Sequence, residues 1–236
     1  MLENHVHHIV LLHLPDSRFI LEGMDDVLIV LMGSVLIPII VFLIYRPHLN
    51  GFFKLLFASL LLSLFFDFFG LVGEELIENN MVIYCLYFLL NAILVVLMWM
   101  SVPFYSKRTR NSVKYIGVIF VLSSISSFII YRDSVEAYRI ISSLNAFFNL
   151  LLGLFYYYQK LISKASISVL KDPYFITASA IILFSISRII ILAGQNLFAE
   201  PEMILAWLLR QVYYLIYNVI IAVAFYTLYK IQPLKK

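Results

Sequence analysis

The chain has 236 residues, of which 63% are apolar, 16% aromatic and only 13% charged, with a formal net charge of +3. Its mean hydropathy of +0.95 lies well outside the range of soluble domains and marks a polytopic membrane protein. The single cysteine, Cys85, falls within an apolar run, which excludes an intrachain disulfide.

Residues 1–25 read as an extracytoplasmic lead-in. The opening MLENHVHHIVLLHLPDSRF has polar residues throughout, where a signal peptide would carry an apolar core and a small-residue cleavage site, so no processing is expected. His5, His7, His8 and His13 show no zinc spacing and no acidic or cysteine companion in a ligand pattern, so no metal is assigned to them. Val6, Ile9, Val10 and Leu12 suit one face of a short amphipathic helix on the outer membrane surface.

A helix needs about 20 apolar residues to cross a hydrocarbon core about 30 Å thick. Seven stretches qualify, at 26–45, 51–73, 80–101, 113–131, 138–159, 174–196 and 203–229. The expected fold class is all-α, a polytopic seven-transmembrane-helix bundle over 26–231 as a single domain, with a cytoplasmic tail at 232–236. Loops after the first, third and fifth spans are basic, with Arg46, His48 and Lys54, then Lys107, Arg108, Arg110 and Lys114, then Lys160, Lys164 and Lys171. The loop after the second span holds Glu74, Glu75 and Glu78, the one after the sixth holds Glu200 and Glu202, and the fourth connection is mixed. Under the positive-inside rule this places the N-terminus outside and the C-terminus inside. The basic loops are read as topology signals, and no nucleic-acid partner is expected.

Ionisable side chains in hydrocarbon cost roughly 2.5 to 3.5 kcal/mol on insertion scales, so they usually face a bundle interior. Along the chain these are Asp67 in LFFDFFG of the second span, Arg188 in FSISRIII of the sixth and Arg210 in LLRQVYYLIYN of the seventh. At about 1.5 Å per residue, Asp67, Asn145 and Arg188 lie roughly 5 to 8 Å outward of their span midpoints, with Arg210 and Gln211 slightly further out. Ser34, Ser126 and Ser127 fall in the same outer half, while Asn91 and Asn149 mark the midplane. Helical spacing groups Tyr84, Tyr87 and Asn91 on the third span, Ser142, Asn145 and Asn149 on the fifth, and Ser185, Arg188 and Gln195 on the sixth. Arg210, Tyr214 and Tyr217, flanked by Gln211 and Asn218, form a stripe on the seventh.

Two arrangements are open. Asp67 can bridge to Arg188 while Asn, Ser and Tyr side chains join helices by hydrogen bonds of about 0.6 to 2 kcal/mol each. Alternatively, Asp67, Asn91, Asn145, Arg188, Arg210 and Tyr214 line an outward pocket whose one excess positive charge suits a ligand bearing a carboxylate or similar acceptor. The two can coexist, with the bridge as a wall of the pocket.

No histidine follows His48, which excludes haem between transmembrane histidines and the three-histidine zinc site of ceramidase-like or adiponectin-receptor-like hydrolases. A retinal protein needs a lysine near the middle of the seventh helix, and the lysine there, Lys230, is at its end. No catalytic signature and no cofactor motif occurs. Asp67 and Glu74 share a face of the second span and could serve acid/base chemistry, but Glu74 adjoins Glu75 and Glu78 and fits a solvated loop better. No internal repeat marks the three-plus-one-plus-three transporters, whose helix-kinking prolines have one counterpart, Pro38.

The last third has Asp172 and Pro173 opening the sixth helix, and Trp207, Arg210, Tyr214 and Asn218 marking the seventh. It resembles the closing helix pair of small bacterial seven-helix membrane proteins akin to the membrane sensor modules of histidine kinases. The resemblance implies a bacterial cytoplasmic membrane, a sensory role and, since no kinase follows, a protein partner for signal output. The expected function is a receptor-like bundle that binds a small anionic ligand from the outer side. Arg188 and Arg210 would anchor the ligand, Asp67 would orient Arg188, and Asn91, Asn145 and Tyr214 would add hydrogen bonds. A small-solute transporter and a structural subunit of a membrane complex are the alternatives.

Overall fold

The computed structural model describes residues 33–76, 81–102, 105–131, 135–162, 171–194 and 200–232. The lead-in 1–25, its histidines and the tail beyond Gln232 lie outside the described residues. A 3-10 turn, Gly33–Val35, leads into α1 (Leu36–Tyr45), followed by α2 (Gly51–Leu76), α3 (Met81–Met100), α4 (Lys107–Ile130), α5 (Val135–Ile162), α6 (Pro173–Gly194) and α7 (Glu200–Ile231). No strand occurs among the described residues. Five helices, α2 and α4 to α7, are long and apolar enough to cross a membrane, and the described apolar parts of α1 and α3 are shorter.

Several helices start where side chains cap them. The Asn50 side chain accepts from the Phe53 backbone N–H at 3.3 Å and opens α2. Asp172 accepts from the Tyr174 N–H at 3.0 Å, and Pro173 occupies the first helical position, where its missing N–H costs nothing. Ser106 accepts from the Thr109 N–H at 3.1 Å. That cap starts α4 at Lys107, six residues before the apolar run that defined the span at 113, so Lys107, Arg108, Arg110 and Lys114 are helical rather than a loop.

The helices close into a ring. α1 lies against α7, α7 against α6, α6 against α5, α5 against α3, α3 against α2, and α2 returns to α1. α4 stands outside the ring in the groove between α3 and α5. This peripheral position explains why Ser126 is exposed and Ser127 bonds only back to the Ser123 carbonyl of its own helix. Neither joins the inner cluster expected of them, and the buried serine of α4 is Ser124. Outward faces are apolar, as with Leu61, Phe65 and Phe68 on α2 and Ile116, Ile119 and Ile129 on α4. In a lipid solvent such faces carry no penalty.

Because lipid offers no hydrophobic drive between helices, small residues must let backbones approach. A Cβ on Gly153 of α5 would lie 2.6 Å from Ile182 Cγ1 of α6. Gly153→Val is therefore expected to destabilise the bundle by about 1 to 3 kcal/mol through overpacking. Thermal unfolding in detergent checks this, and adding Ile182→Ala should restore part of the loss.

The half of the bundle where α1, α3, α5 and α7 end is filled by large side chains. Phe52, Phe53, Trp99, Tyr156 and Phe225 are fully buried there, joined edge to face or tilted. Polar ties close this end. Lys160 Nζ meets Asp172 Oδ2 at 2.5 Å with both side chains nearly buried, and the Tyr156 hydroxyl donates to the same oxygen at 3.3 Å. Asn50 donates to the Tyr174 hydroxyl. His48 and Gln232 exchange two bonds of 2.7 Å, backbone N–H to amide oxygen and amide N–H to backbone carbonyl. Burial raises the Tyr105 phenol above its ordinary value, which keeps it protonated beside this cluster.

Candidate functional site

Polar residues gather in the opposite half, on the inner faces of five helices. On α6, Arg188 projects toward α5. Its Nη2 donates to Ser142 Oγ at 2.6 Å and to the Ser142 carbonyl at 3.3 Å, and its Nη1 donates to Asn145 Oδ1 at 3.4 Å. The guanidinium carbon lies 5.1 Å from the Phe88 ring centroid and 5.7 Å from that of Phe184, so two aromatic faces supply cation–π attraction. Every hydrogen-bond partner of Arg188 is neutral. A guanidinium has five donors, and the Nε–H and the second Nη1–H of Arg188 have no acceptor among the described residues.

The expected Asp67–Arg188 bridge is not formed, and the two make no ion pair. Asp67 is instead under the influence of Arg210 and Tyr214 of α7, and its Oδ2 is buried without a hydrogen-bond partner among the described residues. The physical reason is lateral position. α6 is flanked by α5 and α7 in the ring, while Asp67 on α2 lies across the bundle from it, so Arg188 meets the α5 side chains first. Asp67 therefore does not orient Arg188; Ser142 and Asn145 do. Tyr87 of α3 stands between the charges, within electrostatic reach of Asp67, Arg188 and Arg210, and its hydroxyl shares a 2.8 Å hydrogen bond with Ser63 of α2.

Of the remaining expected residues, Asn145 is buried and accepts from Asn149 at 2.9 Å as well as from Arg188. Tyr214 stacks with Tyr217 at 6.2 Å between centroids and tilts against Phe184 at 5.5 Å. Asn91 is engaged elsewhere, accepting from Ser59 at 2.7 Å to tie α2 to α3. Asn218 likewise acts as a helix tie, donating to Ser34 at 2.8 Å and joining α7 to the turn before α1. Ser142, Phe88 and Phe184 belong to the Arg188 environment and were absent from the expected set. Serine spacing on α5 could point to the first, but nothing in the sequence singles out the two phenylalanines among 20.

A cavity of about 10 Å³, room for one water molecule, is lined by Ser142, Arg188, Ile191, Leu192 and Arg210. Two of the six expected ligand residues, Arg188 and Arg210, reach it. Among the described residues, the expected outward pocket corresponds to this small cavity, with two cationic, one serine and two aliphatic side chains in its lining. No group of three or more metal-ligating side chains occurs among the described residues. Compared with protein-family profiles, characterised proteins and solved structures, the chain matches none.

Proposed function

We propose that the chain is a seven-span membrane protein that binds a small monovalent anion from its outer side and acts as a receptor-like sensor. The observation that carries this reading is Arg188, an intramembrane cation held only by neutral groups, with unused donors beside a cavity it shares with Arg210. A cation without a counter-charge at that depth is costly, and a halide in the cavity, or a carboxylate reaching in by one oxygen, would offset the cost by charge-assisted hydrogen bonds. Asp67, Arg188 and Arg210 together sum to one positive charge, which one monoanion neutralises.

Orientation rests on the alternation of basic and acidic loops, which puts the polar half outside and the aromatic half inside. That closed inner half favours a receptor over alternating access, which would need a path through Trp99, Tyr156 and Phe225. The likeness of the last third to histidine-kinase sensor modules adds a sensory context in a bacterial cytoplasmic membrane, with output through a protein partner.

Thermal unfolding of the purified protein in chloride, acetate and, as a control too bulky for the site despite its carboxylate, gluconate tests the site. An anion at 100 times its dissociation constant should stabilise by about 2.7 kcal/mol, and proteoliposomes should show no flux of that anion. Identical unfolding in all three salts would overturn the site, and saturable flux would replace the receptor with a transporter.

A further inference from the structure

We propose that the exposed first two turns of α4 form a binding surface for anionic phospholipid. α4 is the helix outside the ring, and the residues it buries, Thr109, Val113, Gly117, Phe120 and Ser124, recur every three or four positions along one side. The rest of its circumference faces outward. Over the first eight residues that outer surface presents Lys107, Arg108, Arg110, Asn111, Ser112 and Lys114, all exposed. No acidic residue occurs anywhere from 101 to 130, and Lys107, Arg108 and Lys114 make no ion pair with a described residue. Arg110 turns partly inward, donating to the Val102 carbonyl at 3.4 Å. The start of the helix at Ser106 adds the positive end of the backbone dipole to the same spot.

Immediately beyond Lys114 the surface becomes apolar, with Tyr115, Ile116, Ile119 and Leu122 all exposed. From Tyr115 to Ile130 the helix rises about 24 Å, most of a hydrocarbon core about 30 Å thick. The basic turns therefore stand at headgroup level and the apolar wall below them at acyl-chain level. This is the chemistry of a phospholipid laid along a helix: phosphate on the cations, chains on Ile116, Ile119 and Leu122. An acidic protein partner would meet the cations but has no use for the apolar wall, which favours lipid.

Reconstitution into bilayers of phosphatidylcholine with one fifth phosphatidylglycerol, probed by spin-labelled analogues of each lipid, measures the relative affinity of the boundary sites. Each cation near an anionic headgroup is worth about five-fold in partitioning, so three compound to about 100-fold at this site, which the average over all boundary sites reports as a several-fold preference for phosphatidylglycerol. It should fall to about unity in Lys107→Gln/Arg108→Gln/Lys114→Gln, while Lys171→Gln, exposed at the same end of the bundle, leaves it intact. An unchanged preference in the triple variant, or an equal loss on Lys171→Gln, overturns the proposal. Should the triple variant insert poorly, the unmodified chain decides by salt: preference lost between 0.05 and about 0.5 M, as the screening length shortens, supports it, and persistence overturns it.

Discussion

Asp172→Ala is expected to destabilise the bundle by about 3 to 5 kcal/mol, a large effect at the aromatic end of the bundle. Three interactions converge on this carboxylate: the 2.5 Å contact with Lys160, the Tyr156 hydroxyl at 3.3 Å and the cap on the Tyr174 N–H. Removing it takes the carboxylate from a nearly buried ammonium, and breaking such a pair from one side costs more than the pair contributes. The cap adds about 1 kcal/mol. Unfolding by a denaturing detergent, followed through Trp99, measures the loss. Asp172→Asn with Lys160→Met should recover most of it, because asparagine caps as well as aspartate and no buried charge remains. A parent-like midpoint for Asp172→Ala would mean that the pair is solvated and the aromatic end of the bundle open.

Arg188→Met is expected to separate binding from stability. Charged hydrogen bonds contribute roughly 1.5 to 3 kcal/mol, so affinity for the bound anion should fall about 10- to 100-fold. Stability should change little. The variant sheds an intramembrane charge costing roughly 2.5 to 3.5 kcal/mol, and against that loses three intramembrane hydrogen bonds of about 0.6 to 2 kcal/mol each and the cation–π contacts with Phe88 and Phe184. Anion titration and thermal unfolding of the same sample give both quantities. If Arg188 were simply a brace between α5 and α6, the variant would unfold early. Arg188→Lys keeps the charge without the planar fork and should recover little affinity.

The contrast between these two residues reflects what a sequence can carry. Helix positions follow from apolar length, and α2, α3 and α6 lie within a few residues of their expected bounds. The start of α4 did not follow from hydropathy, because a basic stretch capped by Ser106 reads as a loop until the cap is recognised. Height along the helices is legible too, since the rise per residue is fixed, and it groups Asp67, Asn145, Arg188 and Arg210 toward one half of the bundle. Lateral neighbours are not. Which helix faces which depends on side-chain fit across the ring, so opposite charge at a shared height is not enough to pair Asp67 with Arg188. The ring sets Arg188 against Ser142 and Asn145 and leaves Asp67 to α7. The same lack of lateral information hid α4's exclusion from the ring and with it the exposure of Ser126.

The contact of α1 with α7 sets a schedule for biogenesis. Five helices separate the two in the chain, and the bonds that fasten them, His48 to Gln232 and Ser34 to Asn218, each join residues 184 positions apart. Until α7 is synthesised, the side of α1 that meets it lacks that neighbour, and Ser34 lacks the Asn218 donor. Nascent chains stalled before residue 200 should therefore expose α1 to crosslinking by the insertion machinery, and release it only when the seventh helix arrives.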